Sequence, residues 1–156
     1  MPPVVLFDWG DTLMRDFHQY SGRMCDWPEV AAVPGAREAL AYLSRSSRLY
    51  VVSGAADSSP DDIRRALARV HLDRFITGCF CRRNTGFDKP DRRFYQTVLD
   101  ILGVGAGEVT MVGDNLDKDI LPCHQLGMET VLLATADPPC MPLEIRVVRT
   151  LGELCR

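Results

Sequence analysis

Short apolar runs recur along the chain, separated by segments in which apolar and polar residues alternate with a helical period. The runs are continuously apolar, which is typical of strands buried on both faces of a parallel sheet. This pattern predicts strands at residues 4–7, 49–52, 75–80, 109–112 and 130–133, with an additional edge strand at 145–148.

Between these runs, apolar residues return every three or four positions, as in amphipathic helices. In the first such segment, Ala36, Ala39, Leu40 and Leu43 share one face. The pattern predicts helices at 34–46, 60–70, 90–102 and 118–126, with a short terminal helix after residue 150. Strands that alternate with helices indicate an α/β fold, here a three-layer sandwich with a central parallel sheet.

Polar residues follow three of the predicted strands at the point where each strand ends. Residues 8–12 come directly after the first strand, Ser53 and Gly54 after the second, and Asp114 soon after the fourth. In open parallel sheets, ligands bind outside the carboxyl ends of the strands. We therefore expect these residues to meet at one edge of the sheet and to form a site there.

The composition is that of an ordinary globular protein and narrows the classes of function. The chain has 156 residues, which fits a single domain over residues 1–156. Its net charge of -3 provides no positive field, so neither a nucleic acid nor a membrane partner is expected. No apolar stretch approaches the length of a membrane span, and no signal-peptide pattern opens the chain. We therefore expect a cytoplasmic protein.

The six cysteines are expected to be reduced thiols rather than a disulfide framework, given the size of the chain. Cys79 and Cys81 would lie on the same face of a strand. Their spacing matches no zinc pattern, so buried apolar thiols are favoured over metal ligands.

The residues at the predicted edge are those that a phosphoryl-transfer site requires. An aspartate carboxylate can be the nucleophile toward a phosphate monoester, and a hard cation such as Mg²⁺ offsets the negative charge of carboxylates and phosphate. A lysine adds positive charge, while a hydroxyl and backbone N–H groups can hold the transferring oxygens. The candidates are Asp8, Lys89, Asp114, Ser53 and Gly54.

Four segments in this order resemble the motifs of the haloacid dehalogenase superfamily: residues 6–13 (LFDWGDTL), 51–54 (VVSG), 88–91 (DKPD) and 112–120 (VGDNLDKDI). They reach from the first predicted strand almost to the fifth, so the resemblance covers nearly the whole chain. Little sequence is available where family members insert a cap domain. The chain therefore looks like the capless, phosphatase-like branch of the superfamily, with no substantial cap.

The resemblance implies a Mg²⁺-dependent phosphohydrolase that forms an aspartyl phosphate, acting on a phosphorylated metabolite or a larger phosphorylated substrate. It implies that Asp8 is the nucleophile and that Lys89 steadies both nucleophile and phosphate. Ser53 and the Gly54 backbone are implied to bind the phosphoryl oxygens. The implied metal site consists of Asp8, the Gly10 carbonyl, Asp114 and, behind them, Asp119.

The chain departs from the family pattern at Gly10, where family phosphatases carry a second aspartate as general acid and base. Such catalysis contributes about 10²–10⁴ in rate, or roughly 3–5 kcal/mol of barrier. Asp11 follows one position later. In one reading the loop shifts and Asp11 supplies the catalytic carboxyl. In the other, Asp11 only caps the turn and the acid is missing, as in the superfamily's 2-haloacid dehalogenases, phosphonatases and cation-pumping ATPases.

These two readings lead to two functional hypotheses. The first is an active phosphohydrolase with Asp8, Asp11 and Lys89 as catalytic residues. The second is a catalytically weakened relative that binds a phosphorylated ligand or a protein partner.

Residues from about 13 to 33 are expected to form a short flap or linker. Phe17, Tyr20, Met24 and Trp27 in this segment could form a partial lid, although a hydrophobic flap packed on the domain edge is favoured. An open site is typical either of a bulky substrate or of a lid supplied by a neighbouring subunit. A homo-oligomer that covers the site is therefore a further hypothesis.

Overall fold

Six parallel strands form the sheet in the computed structural model, which describes residues 3–142 and 144–156. The strands are β1 (Val4–Asp8), β2 (Arg48–Val52), β3 (Gly78–Phe80), β4 (Val109–Gly113), β5 (Glu129–Leu133) and β6 (Arg146–Val148). Their spatial order is β3-β2-β1-β4-β5-β6, which places β1 between β2 and β4. Every pairing is parallel, so the predicted central parallel sheet is confirmed.

Helices cover both faces of this sheet. The α-helices are α1 (Ala36–Leu43), α2 (Pro60–Arg69), α3 (Arg82–Thr85), α4 (Arg92–Leu102) and α5 (Leu121–Leu126). Val5 and Phe7 of β1 pack in the core beneath α1 and α2, whereas Val4 and Leu6 pack in the core beneath α4 and α5. Side chains that point alternately to two covered faces explain why the strand sequences are continuously apolar. The predicted three-layer arrangement is confirmed.

The third strand is shorter than the predicted 75–80 and begins at Gly78. The residues before it form a 3₁₀ turn, Asp73–Phe75, after which the Ile76 N–H donates to the Asp73 carbonyl. A local bond of this kind uses a backbone group that a strand would give to its neighbour. The start of this strand was therefore predicted too early.

The helix predicted at 118–126 begins earlier and with a different geometry. Leu116–Ile120 forms a turn of π-helix that continues directly into α5. The Asn115 side chain accepts a hydrogen bond from the Lys118 N–H at its start. Single π turns of this kind occur frequently at functional sites.

The other predicted helices are present with different ends. The helix expected from residue 90 starts at Arg92, because the Asp91 carboxylate accepts from the Arg93 N–H and caps the first turn. The expected terminal helix is a 3₁₀ turn, Leu151–Leu154. Within the described ranges, none of the helices has both the length and the apolar character needed to span a membrane.

The segment 13–33 packs on the edge of the domain. Within this segment, Met24 and Trp27 are buried in the core beneath α1 and α2. Phe17 and Tyr20 are partly buried against that core. Burial of these side chains is what a flap packed against the core would show. The residues that the structure describes contain no separate cap domain.

The cysteines are free thiols. Cys79 and Cys81 are buried, as expected, and burial raises the pKa of the Cys79 thiol to about 11. A thiol with this pKa remains protonated near neutral pH.

Candidate active site

The site lies at the carboxyl edge of the three central strands. Asp8 at the end of β1 is level with Val52 of β2, so Ser53 lies one residue beyond this level. Phe7 is level with Val112 of β4, which likewise places Asp114 just beyond the sheet. The parallel register thus brings together residues that are more than a hundred positions apart in the chain.

A cavity of about 560 Å³ opens at this edge. All the residues that the sequence singled out as site candidates line it: Asp8, Gly10, Asp11, Ser53, Gly54, Lys89, Asp114 and Asp119. Met24 and Trp27 of the segment 13–33 form part of its wall, so the packed flap also faces the cavity.

The Lys89 ammonium group is buried between two carboxylates. Its Nζ donates to Asp8 Oδ1 at 2.7 Å and to Asp119 Oδ1 at 2.9 Å, and only 3% of the side chain is exposed. Burial by itself would lower the pKa of Lys89, but the charges of Asp8 and Asp119 raise it above its ordinary value. The lysine is therefore a permanent positive charge in the floor of the cavity.

Asp8 is held in its ionised form. Burial alone would raise the pKa of Asp8, yet the Lys89 charge and hydrogen bonds from its neighbours lower it below the ordinary value. The side chain remains 14% exposed toward the cavity. An ionised and accessible carboxylate is the form that acts as a nucleophile.

Asp114 and Asp119 carry raised pKa values. Partial removal from water, together with the hydrogen bond to Asp8 and the Asp8 charge, raises the pKa of Asp114 to about 8. Burial and the charge of Asp8 raise the pKa of Asp119 to about 6, although Lys89 opposes this shift. Burial is the largest cause of both shifts, and the charge of Asp8 adds to it.

The donor set fits a hard divalent cation. Oxygen atoms of Asp8, Asp114 and Asp119 lie within 4.8 Å of one another. Carboxylate and carbonyl oxygens are the ligands that Mg²⁺ prefers in proteins, and one or two carboxylates are its usual complement. A cation beside these carboxylates would also favour their ionised forms.

Ser53 and Gly54 line the cavity from the end of β2, on the other side of β1 from β4 and Asp114. The Ser53 N–H donates to the Phe80 carbonyl at 2.9 Å, and the Ser53 hydroxyl oxygen accepts from the Ala55 N–H at 3.0 Å. The buried serine is thereby fixed at the end of β2. Gly54 is exposed and lies close to Lys89, since a β-carbon there would lie 3.8 Å from Lys89 Cδ.

Asp11 is exposed, and its backbone lies in the left-handed region with a φ of 59°. Its N–H donates to the Met14 carbonyl at 2.6 Å, and its carboxylate Oδ1 accepts from the Asp16 N–H at 3.0 Å. The Asp11 side chain thus holds the turn that follows β1, while remaining at the wall of the cavity.

Two further residues belong to the site, and sequence reasoning gave neither of them a role. The buried Thr12 hydroxyl lies 3.2 Å from both Asp8 Oδ2 and Asp114 Oδ1, and it donates to one of them at a time. Thr12 stands in the motif after Asp8, which was a usable signal. Asp16 lines the same cavity, but in the sequence it looks like an ordinary polar loop residue.

Comparisons with known proteins show the family to which the chain belongs. A family model described as haloacid dehalogenase-like hydrolase matches residues 10–127. The chain is 31% identical over 135 residues to an (S)-2-haloacid dehalogenase 4A of Burkholderia cepacia, covering 84% of this chain and 57% of that protein. It is 31% identical over 99 residues to a glyceraldehyde 3-phosphate phosphatase of Pyrococcus furiosus, covering 64% of this chain and 40% of that protein. The chain thus spans about half the length of these curated relatives.

A solved structure of an uncharacterized protein from Listeria monocytogenes serotype 4b is similar over almost its full length. Its TM-score is 0.82 at 20% identity, and the match covers 96% of this chain and 93% of that one. This likeness shows the fold alone. The match of the family model over residues 10–127, together with the identity to the haloacid dehalogenase, shows that the chain belongs to the haloacid dehalogenase-like hydrolases.

Proposed function

We propose that this hydrolase is a Mg²⁺-dependent phosphatase that forms a covalent aspartyl phosphate on Asp8. The contact between Asp8 and Lys89 carries the proposal: a buried ammonium group, 2.7 Å away, keeps a cavity-facing carboxylate ionised. Two more carboxylates beside this pair provide the oxygen ligands for a divalent cation. Each of these features is needed for phosphoryl transfer to an aspartate.

The reaction proceeds in two displacements. In the first, a carboxylate oxygen of Asp8 attacks phosphorus, and the bond to the leaving oxygen breaks, with its electron pair staying on that oxygen. In the second, water attacks phosphorus, the bond to Asp8 breaks, and phosphate is released as the carboxylate is restored. When bound, Mg²⁺ would be held by Asp8, the Gly10 carbonyl and Asp114, with Asp119 behind them, and would neutralise charge on the phosphoryl oxygens.

The remaining residues position the nucleophile and stabilise the phosphoryl group. Lys89 holds Asp8 in place and offers positive charge to the phosphoryl group as it transfers. The Ser53 hydroxyl and the Gly54 backbone line the cavity from the end of β2, where they would donate to phosphoryl oxygens. Asp11, at the cavity wall, holds the turn beside the position of the leaving group.

The substrate class is a phosphate monoester, either a phosphorylated metabolite or a larger phosphorylated molecule. The Pyrococcus furiosus relative is a glyceraldehyde 3-phosphate phosphatase, and others are a ribulose-1,5-bisphosphate 5-phosphatase and a phosphoserine phosphatase. These names support phosphoester hydrolysis for this chain without selecting one ester. The open cavity favours a substrate that extends beyond its phosphate.

We further propose that the open side is covered either by such a bulky substrate or by a second copy of the chain. Size-exclusion chromatography over a range of protein concentrations distinguishes these alternatives. A monomer with undiminished turnover of small esters on dilution would exclude the second copy as a lid.

Dehalogenation is the second candidate, and Gly10 favours it. Displacement of a halide requires no proton on the leaving group, so a site without an acid at residue 10 could perform it. The identity to the Burkholderia cepacia dehalogenase points the same way. A catalytically weakened relative that only binds a phosphorylated ligand or a protein partner is the remaining alternative.

The test compares p-nitrophenyl phosphate with 2-chloropropionate, each with Mg²⁺ and with EDTA. The phosphatase proposal expects Mg²⁺-dependent release of nitrophenol, loss of turnover in Asp8→Asn, and an acid-quenched phosphoenzyme labelled on the peptide that contains Asp8. Asp117→Asn, an exposed carboxylate on the π turn, serves as the control. Chloride release without a metal would establish the dehalogenase instead. No turnover of either, with vanadate still bound, would support the binding protein.

A further inference from the structure

The space beside Gly10 is filled by the side chain of Asp16. A β-carbon built on Gly10 would lie 3.5 Å from Asp16 Cβ and 3.7 Å from Asp16 Oδ2. The Asp16 carboxylate therefore lies within contact distance of the position that a β-carbon of residue 10 would take. Both residues line the cavity that contains Asp8.

We propose that Asp16 is the proton donor to the leaving-group oxygen, and this inference rests on the phosphatase function proposed above. An alkoxide cannot leave phosphorus readily without a proton, and Gly10 has no side chain to supply one. As the bond from phosphorus to the leaving oxygen breaks, the Asp16 carboxylic acid transfers its proton to that oxygen. In the second displacement, the Asp16 carboxylate accepts a proton from the attacking water, which restores the acid.

The other carboxylates of the cavity are engaged elsewhere. Asp8 is the nucleophile, and Asp114 and Asp119 belong to the cluster that fits a cation. Asp57 lies on the side of β2 and accepts from the Ser58 hydroxyl. Among the described residues of the cavity wall, this leaves Asp11 and Asp16 as acids on the side of Gly10.

The loop geometry favours Asp16 over Asp11. The Asp11 carboxylate accepts from the Asp16 N–H at 3.0 Å, which ties the two residues together and fixes where the Asp16 side chain starts. Gly10 pairs with Met14, and Met14 in turn pairs with Ala32, so the loop is held on both sides. Asp11 is therefore a positioning residue, and Asp16 is the residue that would contact the leaving group.

His18 lies beside Asp11 and Asp16. One of its ring nitrogens lies within 4.8 Å of carboxylate oxygens of both Asp11 and Asp16, and all three side chains are exposed.

The experiment compares kcat/KM for p-nitrophenyl phosphate and ethyl phosphate, with Mg²⁺ present. Nitrophenolate leaves without a proton, whereas ethoxide requires one. Asp16→Asn should lose about 10²–10⁴-fold on ethyl phosphate and less than about 10-fold on the aryl ester. Asp11→Asn should show a smaller loss with the same selectivity. Glu29→Gln, an exposed carboxyl of the same segment, should change neither.

A rescue variant separates chemistry from folding. Gly10 does not need a left-handed backbone, and the three atoms nearest to a β-carbon there all belong to Asp16, at ordinary contact distances of 3.5–3.8 Å. In the background of Asp16→Ala, the change Gly10→Asp should therefore restore at least part of the ethyl phosphate activity. Unfolding midpoints of all variants show whether the loop variants remain folded.

Several outcomes would overturn the inference and leave the phosphatase function standing. These are equal losses on both esters in a folded Asp16→Asn, no loss on either, a selective loss in Asp11→Asn alone, or a wild-type protein that cleaves only the aryl ester. A wild-type protein that cleaves neither ester would overturn both proposals.

Discussion

Gly113 and Asp119 stand in a tight steric relationship: a β-carbon on Gly113 would lie 2.5 Å from Asp119 Oδ2. The glycine at the end of β4 leaves the space into which the Asp119 side chain folds back. There, Asp119 Oδ1 accepts from Lys89 and Oδ2 accepts from the Asn115 N–H at 3.2 Å. The position of Lys89, and through it that of Asp8, therefore depends on the absence of a side chain at residue 113.

We expect Gly113→Ala to destabilise the protein by about 1–3 kcal/mol, the usual cost of overpacking a well-filled site. Turnover should fall as well, because Asp119 would be displaced from Lys89. Urea unfolding midpoints measure the first effect, and phosphatase assays the second. Gly107→Ala is the matched control, since a β-carbon there meets nothing within 4 Å. An unchanged midpoint for Gly113→Ala would contradict the steric argument.

Replacing Lys89 should damage both stability and activity. Lys89→Met leaves Asp8 and Asp119 facing each other without a counter-charge, and breaking a buried ion pair by removing one partner costs up to about 3–5 kcal/mol. The chain's other lysine supplies the control: Lys118 is exposed, so Lys118→Met should change stability by less than about 0.5 kcal/mol. If both variants unfold at the wild-type denaturant concentration, the buried ion pair contributes nothing to stability.

Without a divalent cation, stability should fall as the pH rises. The folded-state pKa of Asp114 is raised from 3.8 to about 8, and that of Asp119 to about 6. The folded protein therefore binds protons more tightly than the unfolded chain at both carboxyls. Their contribution is fully present below the unfolded pKa near 4 and is lost as the pH rises through 6 and 8.

Urea unfolding in EDTA, from about pH 5 to about pH 9, measures this dependence. The pKa of Asp8 is shifted in the opposite direction, to below 3.8, so Asp8 affects the measured stability only at the acid end of that range. Asp114→Asn should flatten the upper part of the curve, whereas Asp117→Asn should follow the wild type. A curve for Asp114→Asn that is as steep as that of the wild type would show that another group titrates.

Mg²⁺ should stabilise the wild-type protein and do so more at pH 8 than at pH 6, because the cation competes with the proton on Asp114. A ligand at about 100 times its Kd stabilises the folded state by about 2.7 kcal/mol. Thermal unfolding with and without Mg²⁺ measures this gain. Asp114→Asn should lose most of it and Asp117→Asn none. An equal gain in all three proteins would place the cation away from Asp114.

Much of the fold and the candidate site was predictable from the sequence. Continuous apolar runs predicted the strands, and polar residues at their ends predicted the edge where the cavity lies. Both predictions succeeded because they depend on local sequence. The apolar run that marks a buried strand and the polar residue that follows the strand are consecutive in the chain. The start of β3 and the π turn before α5 were predicted less well, because hydrogen bonds within tight turns decide them, as at Ile76 and Asn115.

By itself, the sequence determined the α/β class, the order of the motifs and most of the residues that meet around Asp8, although not the contact from Thr12. Tertiary structure alone decided what surrounds Gly10. In the sequence, Asp11 is the nearest carboxylate to the missing side chain and Asp16 is a remote loop residue. In the folded protein, a left-handed backbone at Asp11 and the bond from the Asp16 N–H to its carboxylate turn the loop back on itself. The spatial distance between two residues of a loop depends on the backbone angles and hydrogen bonds of that loop. The pattern of apolar positions in the sequence does not predict them.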